Sequence, residues 1–187
     1  MKAYIHAVSV LFAVLVLLAG ACGPQARPSV PYDLQFIDAM VVHHQAAIDM
    51  SLPADTSALR PELRDLARRV IEDQSREVEL MKGWREQWYP GKPQTPTIMG
   101  LPGMTSSMQG MDARHLQGLK GDAFDRMYVD MMIPHHQGAV VMAEAALMKS
   151  QRQQMRALAQ RIIDAQSAEI EMMNRWKADW VSSPASK

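Results

Sequence analysis

The chain lies on itself when it is shifted by 92 residues, without a gap. Asp33, Asp38, Met40, His43, His44, Gln45, Ala47 and Met50 fall on Asp125, Asp130, Met132, His135, His136, Gln137, Ala139 and Met142. Leu66, Ala67, Arg69 and Ile71 fall on Leu158, Ala159, Arg161 and Ile163. Gln74, Ser75, Glu77, Met81, Trp84 and Trp88 fall on Gln166, Ser167, Glu169, Met173, Trp176 and Trp180. A repeat of this length is one supersecondary unit, used twice.

Each unit reads as two helices. Phe36, Met40, His43 or His44, Ala47 and Met50 recur at three- and four-residue spacing, as one helical face does. Leu52-Pro53 ends that helix, and Pro61 suits the first turn of the next. The second carries Leu63, Ala67, Val70, Gln74, Val78, Met81, Trp84 and Trp88 on one stripe. The second unit repeats this over residues 122–149 and 151–180, and no useful stretch alternates with a period of two. A helical hairpin cannot bury its apolar face alone, so two should pack as a four-helix bundle. The expected chain is all-α: a bundle over 32–181, made of repeat 1 (32–88), a Met-rich crossover linker (89–121) and repeat 2 (122–181). Pro134 stands inside the third helix, where Val42 stands in the first. A kink there is expected to give the two halves different geometry.

Ahead of the bundle, Lys2 precedes an apolar run over 7–19, too short to span a bilayer comfortably. Ala19-Gly20-Ala21 then supplies small residues, and the chain's single Cys, Cys22, follows at once. Residues 1–21 read as an export signal. Cys22 is placed as in a bacterial lipobox, although Ala19 stands where Leu is more usual, and is expected to carry the lipid. The alternative is an ordinary secretory peptide that leaves a free thiol. Residues 22–31, rich in proline, would form a tether. The product is an exported protein, lipid-anchored at the cell envelope. With a formal net charge of +0, nothing points to nucleic acid.

The chemistry gathers around the His doublets. Met40 lies one turn below His43 and His44, and Met132 stands likewise to His135 and His136. On the partner helix Gln74, Glu77 and Met81, repeated as Gln166, Glu169 and Met173, share the inward stripe. A glutamate on such a stripe is costly unless it is paired or bound to a cation. Thioether sulfur selects Cu(I), and imidazole accepts copper in either state or zinc. The linker adds Met99, Met104, Met108 and Met111 among Gly, Pro and Ser, where methionine has no obvious core to fill and should be exposed. The candidate metal ligands are thus His43, His44, His135, His136, Met40, Met132, Glu77, Glu169, Met81, Met173, Met104, Met108 and Met111.

A structural reading stands beside each of these. Methionine also fills cores, and Met50, Met127, Met142, Met148, Met155 and Met172 are assigned that role. The lesser alternative for His43 or His135 is a bond to Glu77 or Glu169 that braces the hairpin. The linker methionines would also suit a short amphipathic segment leading into residues 114–119. Trp84, Trp88, Trp176 and Trp180 read as packing at the hairpin ends, and Arg68, Arg69 and Arg152 as solvated faces.

The doubled MxxHHQ segments, each followed about thirty residues later by QxxExxxM (Gln74 to Met81 and Gln166 to Met173), resemble the bacterial family of unknown function DUF305. The resemblance runs from about Tyr32 to Trp180. It implies a ferritin-like fold, and because the family includes a periplasmic copper-binding protein tied to copper resistance, it implies copper ligation at His43, His44, Met40 and their counterparts. A ferritin-like di-iron site uses Glu-x-x-His on two helices. Here that spacing holds Met40-x-x-His43 and Met132-x-x-His135, a thioether replacing the bridging carboxylate, while Asp38 and Asp130 lie on the wrong side of their helices.

Three functions follow as expectations. The first is Cu(I) or Ag(I) sequestration or chaperoning, with an envelope copper-handling protein as a possible partner; iron and zinc rank behind copper. The second is a metal-dependent oxidoreductase. The third is a structural or partner-binding bundle without metal. No nucleophile or phosphate loop argues for hydrolysis.

Overall fold

The computed structural model describes residues 30–95 and 98–182. The expected export signal, Cys22 and most of the expected tether lie outside the described residues. Four long helices dominate: α1 (Tyr32–Ser51), α3 (Pro61–Trp88), α5 (Gly121–Lys149) and α6 (Gln153–Ser182), with a short α2 (Ala54–Ser57) after α1 and a short α4 (Met104–Met108) in the crossover. The all-α bundle expected from the repeat is the fold observed.

The breaks follow from residue type. Pro53 stops α1 at Ser51, and the chain resumes as the single turn of α2. In the second repeat Ala145 occupies the matching position, and α5 runs on unbroken to Lys149. The separate α2 is therefore the last turn of the repeat's first helix, detached by one proline. Pro61 sits at the first position of α3, where its missing N–H is no loss. Pro134 is absorbed within α5 without ending it.

The helices are antiparallel within each hairpin. His44 meets Glu77 and Asp38 meets Arg85 along α1 and α3; His136 meets Glu169 and Asp130 meets Lys177 along α5 and α6. Between hairpins, α1 and α5 also run antiparallel, with His43 beside His135 and Ser51 bonded to Tyr128. The order is up, down, down, up with one long crossover, the ferritin-like arrangement.

Two apolar clusters fill the bundle. Phe36, Ile37, Met40, Met81, Met104, Met142, Met155 and Leu158 form one; Met50, Leu63, Leu66, Phe124, Tyr128, Met132 and Met173 belong to the other. The hairpins are also strapped together at their ends. Arg60 lies 4.1 Å from the Trp180 ring centroid and donates to Asp125 at 2.8 Å. Its repeat equivalent, Arg152, lies 4.3 Å over Trp88 and pairs with Asp33 at 3.3 Å. Arg152 is thus part of a strap and not the solvated face expected from the sequence. The tryptophans do pack the hairpin ends, Trp84 on Trp88 and Trp176 on Trp180.

Candidate metal centre

All four doublet histidines are fully buried, at 0% exposure, in a polar layer of the apolar bundle. Adjacent helical residues diverge by about 100°, so one ring of each doublet turns toward the other hairpin and one toward its own partner helix. His43 and His135 take the first role and stack on each other, with ring centroids 3.6 Å apart. His44 and His136 take the second: His44 Nε2 lies 2.8 Å from Glu77 Oε2, and His136 Nε2 lies 2.7 Å from Glu169 Oε2. The histidines that pair with Glu77 and Glu169 are therefore the second of each doublet, not His43 or His135.

The contacts anchor each ring through Nε2. Glu77 and Glu169 as carboxylates only accept, so His44 and His136 donate from Nε2. His135 Nε2 lies 3.1 Å from the His43 carbonyl, which also only accepts. His43 Nε2 lies 3.0 Å from Ser107 Oγ, whose own hydrogen goes to the carbonyl of Gly103 at 2.6 Å or of Met104 at 3.0 Å. Each imidazole is held through Nε2, which leaves Nδ1 as the free ring nitrogen. All four Nδ1 atoms are buried without a hydrogen-bond partner, as are Oε1 of Gln74 and Gln166. Burial, followed by the neighbouring imidazoles, holds His43 and His135 well below the ordinary imidazole range, so both are neutral near pH 7.

An orphaned buried acceptor is costly, and four in one layer demand a partner. A metal-ligating histidine shows this pattern: one nitrogen anchored through its N–H to a carboxylate or carbonyl, the other free for the metal. Among the described residues no group of three or more His, Cys, Asp and Glu side chains is disposed to hold a metal ion. The histidines do not close a site by themselves, and further donors must come from other residue types. Methionine is the residue type that the sequence offers for this. Met40, Met81 and Met104 are fully buried in one apolar cluster, and Met132 and Met173 in the other. The residues present suit a soft ion better than a hard one.

The linker departs from expectation. Met104 is wholly buried, and Met108 and Met111 pack half-buried against the two clusters; of the four, only Met99 is largely exposed. The segment folds as α4, which buries Met104 and half-buries Met108, and a 3-10 turn at Ala113–Leu116 that follows Met111. Met50, Met142 and Met155 fill the core, but Met127 and Met148 do not, standing 38% and 75% exposed on the outer face of α5. Asp38 binds Arg85 and Thr95, and Asp130 binds Lys177, both away from the histidines. Pro134 leaves the doublets alike, with ring separations of 6.3 Å in the first and 6.1 Å in the second.

Ser107 is the contact that the sequence reading missed, since no spacing links it to His43. Gly138 carried a signal: it replaces Ala46 of the first repeat within an otherwise matching motif. A Cβ on Gly138 would stand 2.1 Å from Ser107 Cβ and 2.6 Å from the Gly103 carbonyl. Glycine there is what lets α4 settle on α5.

On the opposite side a groove of about 380 Å³ separates α3 from α6. Asp73, Arg76, Arg161 and Ala165 stand at its exposed edge, with Gln74, Glu77, Gln166 and Glu169 deeper.

The comparisons with known proteins agree with this fold. CopM in its Cu(I)-bound form is 39% identical, with a TM-score of 0.67 over 79% of this chain and 96% of CopM. The Cu(II)-bound form is 40% identical, with a TM-score of 0.66 over 79% of this chain and 98% of CopM. CopM structures with silver bound match comparably. A DUF305 protein from Streptomyces coelicolor is 28% identical, with a TM-score of 0.70 over 80% of this chain and 93% of that one. No curated protein matches the chain. The model of the domain of unknown function DUF305 covers residues 33–177, and the chain belongs to that family.

Proposed function

We propose that this protein is an extracytoplasmic copper-binding protein that sequesters or hands on Cu(I), tethered to the cell envelope through a lipid on Cys22. The observation that carries the reading is the set of four buried, unpartnered Nδ1 lone pairs on His43, His44, His135 and His136. CopM, similar along most of its length, has been seen with Cu(I), Cu(II) and silver bound, which supports the same class of ion here.

In this reading the histidines supply nitrogen, and Met40, Met81 and Met104 with Met132 and Met173 supply sulfur from either side. Met108 and Met111 are the outermost sulfur candidates. Once the ion is seated, Glu77 and Glu169 act on it indirectly, by orienting His44 and His136. Burial among apolar side chains keeps water from competing and favours the monovalent ion. Copper is the cargo, and no catalytic group is required.

X-ray absorption on the Cu(I)-loaded protein tests this. A first shell of nitrogen with sulfur neighbours is expected; a shell of oxygen alone would sink the proposal.

A further inference from the structure

The four histidines have no exposure of their own, so an ion that reaches them must pass through the protein. Three of the directions are filled. Along the bundle axis the two apolar clusters close both ends of the polar layer. On the α1–α5 face α4 lies over His43, with Ser107 bonded to the ring and Gly103 packed on Gly138 too closely for a single added methyl group.

The face between α3 and α6 differs. Its groove is lined by a graded series of polar groups, the inner four of which form two repeat-related pairs. Exposed Asp73, Arg76 and Arg161 mark the mouth, partly exposed Glu77 and Glu169 stand within, and Gln74 and Gln166 are 3% exposed. Both glutamates already touch the layer through His44 and His136. Both glutamines carry a buried Oε1 with no partner. A carboxamide oxygen left bare twice, at symmetry-related positions in one cavity, points to a ligand that visits the cavity.

We infer that the α3–α6 groove is the port by which copper enters and leaves the histidine layer, with Gln74, Gln166, Glu77 and Glu169 as its transient oxygen ligands. This rests on the copper-binding reading above and adds the route to it. Oxygen donors hold Cu(I) more weakly than imidazole and thioether do. An ion therefore exchanges ligands down a gradient, from carboxylate and carboxamide at the port to nitrogen and sulfur inside. No electron changes hands, and the ion keeps its charge throughout.

Ala165 lines the groove, is exposed, and is not one of the donor groups, so Ala165→Trp obstructs the port without touching them. Uptake of Cu(I) from its coloured bicinchoninate complex is followed in time, and release to excess chelator likewise. Both rates should fall about tenfold while the affinity is unchanged, since an obstructed path alters rates and not the end states. Gln74→Leu combined with Gln166→Leu should slow uptake in the same way, with thermal melting confirming that each variant is folded. Unchanged rates in both variants would overturn the port while leaving the copper site standing. A parallel loss of affinity would also overturn it, by making the groove part of the final site. A wild-type protein that takes up no Cu(I) would overturn the proposed function and the port together.

Discussion

The imidazoles of His43 and His135, equivalent residues of the two repeats, stack across the bundle centre with their planes 26° apart. Two protonated rings could not occupy that position. Burial first, and then the neighbouring imidazoles, His44 and His136 among them, hold both well below the ordinary value of 6.5. Glu77 and Glu169 face the outer pair, so the inner pair has no carboxylate to offset a charge.

A folded-state value below the unfolded one means that the unfolded chain binds more protons as pH drops through 6.5. The metal-free protein should therefore hold its full stability above that pH and lose it on acidification, by up to about 1.4 kcal/mol per pH unit for each ring. Urea unfolding at pH 7.5 and pH 5.0 measures this. The double variant His43→Gln, His135→Gln should show a flatter dependence; an equally steep one would assign the effect to other groups.

Sulfur and volume separate at Met40 and Met132. Both are fully buried, so alanine would leave cavities costing about 2–5 kcal/mol each and confuse folding with binding. Leucine conserves the volume and usually costs less than about 1.5 kcal/mol. Met40→Leu with Met132→Leu should melt close to the wild type yet bind Cu(I) about tenfold or more weakly, as competition with a chelator would show. Unchanged affinity would remove both thioethers from the ligand set.

The 92-residue repeat exposed the four helices, their pairing and the inward faces, because duplicated spacing reports which positions a fold treats alike. It also held a signal that went unread: Arg60, Asp33 and Trp88 recur as Arg152, Asp125 and Trp180, and these six form the two straps. What the repeat could not reveal lies outside it. The crossover belongs to neither copy, so nothing in the pattern placed Ser107 on His43 or buried Met104. Nor could helical periodicity show which ring of each doublet turns outward, since both adjacent residues flank the same inward line.

The straps are equivalent in sequence but unequal in energy. Arg60 is 11% exposed and its partner Asp125 is 0% exposed, whereas Arg152 is 41% exposed and sits farther from Asp33. Removing Arg60 leaves a buried carboxylate with only the backbone N–H groups of Leu59 and Arg60. Arg60→Ala should destabilise the protein by about 3 kcal/mol, and Arg152→Ala by about 1 kcal/mol or less. Chemical denaturation of the two variants checks the ordering; equal losses would show that the cation–π contacts dominate over the ion pairs.

Gly138 is where the second repeat gives up a side chain to accept the crossover. The matching position in the first repeat holds Ala46, and helix propensity alone would favour alanine at both. An added Cβ at Gly138 meets Ser107 Cβ at 2.1 Å and the Gly103 carbonyl at 2.6 Å, the second being backbone that cannot turn aside. Gly138→Ala should therefore cost about 1–3 kcal/mol through overpacking, despite a gain of roughly 1 kcal/mol in helix propensity. Because the strain falls on α4, hydrogen exchange of the Met104–Met108 amides should quicken while the core of α5 stays protected. Stabilisation by Gly138→Ala, with unaltered exchange in α4, would show that the crossover does not lean on this glycine.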